Sequence, residues 1–161
     1  MINKVEIYTD GSSRGNPGPG GWGVVMLQGK ERHEMGGRVD PATNNQMELM
    51  AMEQALNFLA ERGVTDWEIT IHTDSKYVLG GVTEWVYGWA ARGWVKADKK
   101  PVLNKEQWEK IKNLKDFLET ENTLFFHHIE AHAGHEHNER ADAIAHGFAS
   151  DKDPQLVSTE K

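Results

Sequence analysis

Two apolar runs of the sequence end on a Thr-Asp pair, in "YTDGS" (8–12) and in "HTDSK" (72–76). Aspartate is a poor strand former, and its carboxylate is costly to remove from water, so an aspartate at the end of a buried strand suggests chemistry. Taken singly, each has an ordinary explanation. Asp10 precedes Gly11 as in a common turn, and Asp74 precedes Ser75 as in a helix N-cap.

Two more carboxylates lie near the starts of predicted helices, Glu48 in "MELMA" and Asp142 in "NERAD". If all four converged on one point they would repel each other, and at least one pKa would rise. A divalent cation bound between the carboxylates replaces this repulsion with attraction. Ligands that are all oxygen select hard ions such as Mg²⁺ or Mn²⁺. Two such ions can hold the attacking and leaving oxygens of a phosphodiester, so Asp10, Glu48, Asp74 and Asp142 form a candidate catalytic metal site.

A scaffold of strands and helices must position these side chains. Strand patterns cover 4–10, 21–29, 30–39, 67–74 and 123–131, with a turn-rich connection over 12–23 and a tight turn at Gly29 and Lys30. Helical spacing covers 43–62, 75–91 with an interruption at Gly80-Gly81, 105–119 and 138–149. The order βββαβααβα predicts an α/β fold, with a mixed sheet whose first three strands are antiparallel and helices on its faces.

Length and composition fit one ordinary globular domain. The 161 residues carry a net charge of −7 and no cysteine, which excludes disulfides and thiolate metal sites. No apolar run approaches the roughly 20 residues of a membrane span, and no signal-peptide pattern is present, so a cytoplasmic protein is expected. We expect a single catalytic domain over 1–149, and a flexible tail over 150–161 because that segment lacks core-forming residues.

Positive charge is concentrated between residues 92 and 112, where seven basic and three acidic side chains give a local charge of +4. A basic stripe on an acidic protein can bind a polyanion, because counterion release is a local effect. A solvated helical face explains the same charges equally well.

Five segments occur together in the order "YTDGSSRGNPGPGGWG", "TNNQMELMA", "HTDSKYV", "RGWVKADKKPVLN" and "HAGHEHNERAD". Over residues 3 to 149 they make the chain resemble bacterial type 1 ribonuclease H. The resemblance implies a five-stranded mixed sheet with helices on both faces. It also implies a monomeric endonuclease that acts on RNA–DNA hybrids and does not associate with a membrane. It also implies RNA-strand cleavage with two Mg²⁺ ions, Mn²⁺ being a possible substitute, that leaves 5′-phosphate and 3′-hydroxyl ends. The family's metal-site carboxylates match Asp10, Glu48, Asp74 and Asp142.

Five of the eight histidines lie between His127 and His137. A zinc site is the alternative, but His127 and His128 are neighbours in a predicted strand and point to opposite faces. The resemblance assigns His132 as a mobile proton-transfer group, which suits an imidazole in a glycine-containing loop. For His135 and His137 we expect a solvated loop.

Cutting only RNA requires contacts to the ribose 2′-hydroxyl. Backbone amides near Gly11 and Ser13 and three asparagine side chains suit such contacts, although two of the asparagines can also cap a helix. The resemblance favours minor-groove contacts for Asn16, Asn44, Asn45 and Lys76. It matches Trp85 and Trp108 to the channel for the DNA strand, and it includes a basic protrusion. Thr43 and Asn104 are suited to hold a DNA phosphate. The candidate substrate-binding residues are Gly11, Ser13, Asn16, Thr43, Asn44, Asn45, Lys76, Trp85, Arg92, Lys99, Lys100, Asn104 and Trp108.

The chain departs from the family pattern by losing positive charge. One departure adds charge, because Lys76 stands where bacterial relatives have glutamine. The others remove it: Ala90, Ala91 and Val95 occupy positions of the protrusion that are often basic, and Glu130-Ala131 replaces a common Lys-Gly pair. We therefore predict weaker and less salt-sensitive binding of a hybrid than in a relative with the full lysine set. Trp89 and Trp94 are assigned to packing.

Overall fold

Five strands form one mixed sheet in the computed structural model, which describes residues 3–159. The sheet order is β3-β2-β1-β4-β5. β1 pairs antiparallel with β2, and β2 with β3, whereas β1–β4 and β4–β5 are parallel. The strands are β1 Asn3–Ser13, β2 Gly18–Gln28, β3 Glu31–Ala42, β4 Trp67–Thr73 and β5 Thr123–His128. The predicted α/β fold with a mixed sheet is confirmed.

The helices follow the predicted order, and a π-helical segment over Gly81–Trp85 lies where the sequence predicts an interruption. That segment joins two short helices of one continuous helical stretch. Among residues 3–159, none of the helices is both long enough and apolar enough to cross a bilayer. The helices are α1 Asn44–Glu61, α2 Lys76–Gly80, α3 Val86–Ala91, α4 Lys105–Glu119 and α5 Glu136–Ala149.

Helices cover both faces of the sheet, and the alternation of β2 shows this directly. Val24 and Met26 belong to the main core, which also contains buried residues of α1 and α4. Val25, between them, points to the other face and packs with Ala141 and Ile144 of α5. The predicted carboxylates of α1 and α5 therefore approach the end of the sheet from opposite faces.

The connection predicted over residues 12–23 is too long, because β2 already begins at Gly18. Two glycines of this segment serve helix packing. A Cβ at Gly21 would lie 2.1 Å from the carbonyl oxygen of Ala145, and one at Gly23 would lie 2.5 Å from that of Ala141. The backbone of α5 thus rests directly on β2, which no side chain larger than hydrogen would allow.

The C-terminal segment, for which a flexible tail is predicted, contacts the edge strand β3 through residues 157–159. The backbone N–H of Glu34 donates to the carbonyl of Val157 at 2.9 Å, and that of Thr159 donates to the carbonyl of Arg32 at 2.8 Å. The main chain supplies these contacts, so hydropathy does not reveal them. Residues 160 and 161 lie outside the described residues.

Candidate active site

Three of the predicted carboxylates meet at one edge of the sheet. Asp10 lies near the end of β1, Asp74 directly follows β4, and Glu48 lies in the second turn of α1. Because β1 and β4 are parallel neighbours, their carboxyl ends lie at the same edge. One carboxylate oxygen from each residue lies within 4.8 Å of the others. The expected convergence of these three side chains is therefore observed.

A glycine allows Glu48 to approach Asp10. A Cβ at Gly11 would lie 2.3 Å from the backbone nitrogen of Glu48, so the first turns of α1 pack directly on the end of β1. The helix start is held by a capping box, in which the Thr43 hydroxyl accepts from Gln46 N–H at 3.1 Å and the Gln46 side chain accepts from Thr43 N–H at 2.9 Å. Gly11 and Thr43 thus fix the position of Glu48, which is a structural role beside the substrate contacts predicted for them.

The fourth carboxylate joins from the opposite face of the sheet. The negative charge of Asp142, in α5, contributes to the raised pKa of Asp10. Asp142 also acts on Asp74. Asp142 therefore adds its negative charge to the group, while the oxygens that lie within 4.8 Å of one another belong to Asp10, Glu48 and Asp74.

The electrostatics of this cluster are unfavourable without a cation. Burial and the charge of Asp74 raise the pKa of Asp10 to about 8. Burial and the charge of Asp10 raise the pKa of Glu48 well above its usual range, and burial with Asp142 raises that of Asp74. Asp10 Oδ2 and Glu48 Oε2 are buried and accept no hydrogen bond from residues 3–159. Shared protons or a hard cation must supply the missing positive charge, so the donor set fits Mg²⁺ or Mn²⁺.

Comparison with known proteins agrees with this geometry. The family model for RNase H matches residues 2–150. The chain belongs to the ribonuclease H family. It is 47% identical to "Ribonuclease H" of Erythrobacter litoralis, covering 89% of this chain and 94% of that protein. It is 43% identical to "Ribonuclease HI" of Caulobacter vibrioides, covering 98% and 100%. Among solved structures, LC11-RNase H1 in complex with an RNA/DNA hybrid is similar, with 30% identity and a TM-score of 0.67 over 91% of this chain and 97% of that one.

In this member of the ribonuclease H family, three predicted substrate residues form a hydrogen-bonded group. Ser13 N–H donates to Asn44 Oδ1 at 2.8 Å, and Asn44 N–H donates to Asn16 Oδ1 at 3.1 Å. Since main-chain donors already bind both side-chain oxygens, contacts to a ligand would come from the amide nitrogens. Asn45 is exposed beside them at the start of α1.

The two tryptophans predicted to line a DNA channel differ. Trp85 is 44% exposed and can present its ring to a ligand. Trp108 is 0% exposed, and its Nε1 donates to the Tyr77 hydroxyl at 2.9 Å. Its ring fills the space over Gly81, where a Cβ would lie 2.0 Å from it. The prediction that Trp108 contacts substrate is wrong, because this side chain is part of the core.

The predicted cationic contacts lie on the surface. Arg92, Lys99 and Lys100 are exposed in the connection between α3 and α4, and Lys76 is exposed as the first residue of α2. Asn104 is half-buried in a left-handed conformation (φ 60°), with its amide nitrogen 3.3 Å from the Tyr77 hydroxyl. Trp89 and Trp94 pack against the main core, as predicted.

The histidines are dispersed. His132 is exposed in the loop before α5. Burial and Asp142 raise the pKa of Asp74, and the nearby His132 and His128 act in the opposite direction and lower it. The prediction of a solvated loop is wrong for His137, which lies in α5 with a buried Nδ1 and its ring 5.3 Å from that of Tyr8. His135, by contrast, is exposed. The group of side chains among residues 3–159 that could hold a metal ion contains three carboxylates and no histidine.

Two residues beside the carboxylates were not among the sequence predictions. His146 lies one helical turn after Asp142, with its Nε2 3.3 Å from Asp142 Oδ1. Its Nδ1 lies 3.2 Å from the hydroxyl of Ser12. The signal was present in the spacing, because residues four apart on a helix and two apart on a strand share a face.

Proposed function

We propose that the protein is a divalent-cation-dependent endonuclease that hydrolyses the RNA strand of RNA–DNA hybrids. The observation that carries this proposal is the meeting of Asp10, Glu48 and Asp74 within 4.8 Å, with two buried carboxylate oxygens that accept no hydrogen bond from residues 3–159. Membership of the ribonuclease H family supports it, as does the similarity to LC11-RNase H1, which binds an RNA/DNA hybrid.

Asp10, Glu48, Asp74 and Asp142 would hold two Mg²⁺ or Mn²⁺ ions. Bound there, the ions would act as Lewis acids on the scissile phosphate and neutralise the charge that develops during cleavage. The four carboxylates supply the oxygen ligands, and the rigid ends of β1, β4, α1 and α5 keep them in place. The products carry 5′-phosphate and 3′-hydroxyl ends.

His132 is proposed to move a proton during cleavage. Two observations support this role: His132 is exposed in a loop that also contains Gly134, and it is close enough to Asp74 to lower the pKa of that carboxyl. An imidazole can accept and return a proton near neutral pH, so it can serve the attacking water or the departing oxygen.

Recognition of the hybrid is proposed to use the exposed groups around the cluster. Ser13, Asn16, Asn44 and Asn45 can contact the ribose 2′-hydroxyls and base edges of the minor groove. The DNA strand is assigned to Trp85, with its phosphates bound by Thr43, Asn104, Lys76, Arg92, Lys99 and Lys100. The protein acts as a cytoplasmic monomer in this proposal.

Three end-labelled duplexes of one sequence test the function: RNA–DNA, RNA–RNA and DNA–DNA, each with and without Mg²⁺. We expect cleavage of the RNA strand of the hybrid alone, and only with Mg²⁺. Asp10→Asn should abolish it with the fold retained, whereas Asp40→Asn, at an exposed residue of β3, should cut normally. Equal cutting of all three duplexes, or normal cutting by Asp10→Asn, would contradict the proposal.

A further inference from the structure

Two pairs of residues align between β1 and α5. Asp10 and Ser12 are two residues apart on the strand, about 6.8 Å, and therefore share one face. Asp142 and His146 are four residues apart on the helix, about 6.0 Å, and share one stripe. The spacing of the two residues on the strand nearly equals that of the two residues on the helix. Asp142 therefore lies against Asp10 while His146 lies against Ser12.

The His146 ring connects the strand to the carboxylate. Its Nδ1 lies 3.2 Å from Ser12 Oγ, and its Nε2 lies 3.3 Å from Asp142 Oδ1. The Ser12 hydroxyl can donate to Nδ1, which leaves the proton on Nε2 to face the carboxylate. Ser12 is buried and belongs to the rigid end of β1, so it is a fixed anchor for a ring that is itself 57% exposed.

The main chain of α5 has little freedom to move toward or away from the cluster. The backbone of Ala141 and Ala145 rests on Gly23 and Gly21, at distances that exclude a side chain. What remains free is the side-chain rotamer of Asp142, which faces the negative charges of Asp10 and Asp74. Repulsion favours rotation of this carboxylate away from the cluster before a cation binds.

We propose that His146 is a positioning residue that holds the Asp142 carboxylate toward the cation site by bridging it to Ser12. This inference rests on the proposed function of the four carboxylates. Groups that contact metal ligands from outside set the orientation of those ligands and raise metal affinity. Loss of His146 therefore weakens cation binding and leaves the chemistry at saturating cation nearly intact.

The test is calorimetric titration of Mn²⁺ into the substrate-free protein at one fixed pH. We expect His146→Ala to weaken Mn²⁺ binding about tenfold, the lower end of the effect of such outer contacts. Ser12→Ala should weaken it in the same direction, and the double variant should be no worse than His146→Ala, because both changes break one bridge. His146→Gln, whose amide can still donate to Asp142, should recover part of the affinity.

Kinetics separate positioning from catalysis. In His146→Ala the Mg²⁺ concentration for half-maximal cleavage should rise in step with the loss of affinity, with kcat at saturating Mg²⁺ and KM for the hybrid nearly unchanged. His127→Ala, which removes an exposed imidazole stacked on His72 in β4, is the matched control and should bind Mn²⁺ like the wild type.

Two results would overturn the inference while leaving the proposed function intact: wild-type Mn²⁺ affinity in His146→Ala, or additive losses in the Ser12 and His146 variants. Failure of the proposed function has a different signature. In that case Asp10→Asn would bind Mn²⁺ as tightly as the wild type.

Discussion

The guanidinium of Arg140 donates two hydrogen bonds to the carboxylate of Glu34, from Nε at 3.0 Å and from Nη2 at 2.9 Å. The Glu34 side chain is fully buried and also accepts from Arg32 and from the backbone N–H of Val157. One carboxylate therefore joins β3, α5 and the C-terminal segment. Burial alone would raise the pKa of Glu34, but the hydrogen bonds from Arg140, Arg32 and Val157 outweigh it and lower the pKa to about 2.

Glu34→Gln should lower the free energy of unfolding by about 2 kcal/mol, because it removes a buried charge that two partly exposed arginines pair with. Urea denaturation at pH 7 measures this. The matched control is Glu68→Gln, which removes a half-buried partner of the exposed Lys4 at 3.4 Å and should cost less than about 0.5 kcal/mol. Equal losses in the two variants would contradict the role given to Glu34.

The Glu34 contribution should also depend on pH with a defined sign. The pKa is about 2 in the folded protein, against an ordinary value of 4.5, so the ionised form is favoured by folding. The stabilisation is therefore complete above about pH 4.5 and is lost as the pH falls toward 2. We expect the difference in unfolding free energy between the wild type and Glu34→Gln to shrink across this range. A difference that stays constant from pH 6 to 2.5 would contradict the pairing.

Asp10 should show the opposite dependence in protein kept free of divalent cations. Burial and the charge of Asp74 raise its pKa to about 8 from an ordinary value of 3.8, so folding favours the protonated form. The folded protein is therefore penalised increasingly as the pH rises from about 4 through 8. Asp10→Asn should raise the unfolding temperature at pH 8 and change it much less at pH 5. An equal effect at both pH values would contradict the raised pKa.

The order of elements could be predicted from local signals, whereas the meeting of the carboxylates was predicted with the help of the resemblance to ribonuclease H. Asp10 and Asp74 end parallel strands, and Glu48 lies one turn into a capped helix, so the topology alone brings them to one edge. The role of the glycines near residue 20 could not be predicted in this way. Gly21 and Gly23 resemble turn residues along the chain, and only the approach of α5 shows that they are packing contacts.

The remaining errors concern side chains whose partners are distant in sequence. Residue type alone does not distinguish Trp85 from Trp108, yet Trp85 is exposed and Trp108 is buried over Gly81. The spacing of Trp108 with Ile111 and Leu118 on the apolar stripe of α4 was the available clue. The docking of the tail had no such clue, because Glu34 resembles any polar residue of an edge strand until Arg140 is placed beside it.

Gly81→Ala should destabilise the protein by about 2 kcal/mol, because the new Cβ would overlap the buried ring of Trp108 at 2.0 Å. Gly88→Ala, in the same helical stretch, is the control. There the nearest atom is the flexible end of Arg92 at 3.2 Å, so the better helix former should stabilise the protein by about 0.5 kcal/mol. Thermal unfolding with tryptophan fluorescence would follow both, and a stabilising Gly81→Ala would contradict the close packing.

Glu130→Lys should strengthen binding of an RNA–DNA hybrid by restoring a positive charge next to the loop that carries His132. The side chain of Glu130 is exposed and lies 3.8 Å from Nδ1 of His128, which is itself near Asp74. If a new lysine reaches one phosphate, the slope of log affinity against log salt steepens by about 0.9. Titrations between low and moderate salt, in the Asp10→Asn background to prevent cleavage, would measure this. Glu121→Lys, beyond the opposite end of β5, should leave the slope unchanged, and equal slopes in both variants would place the hybrid elsewhere on the protein.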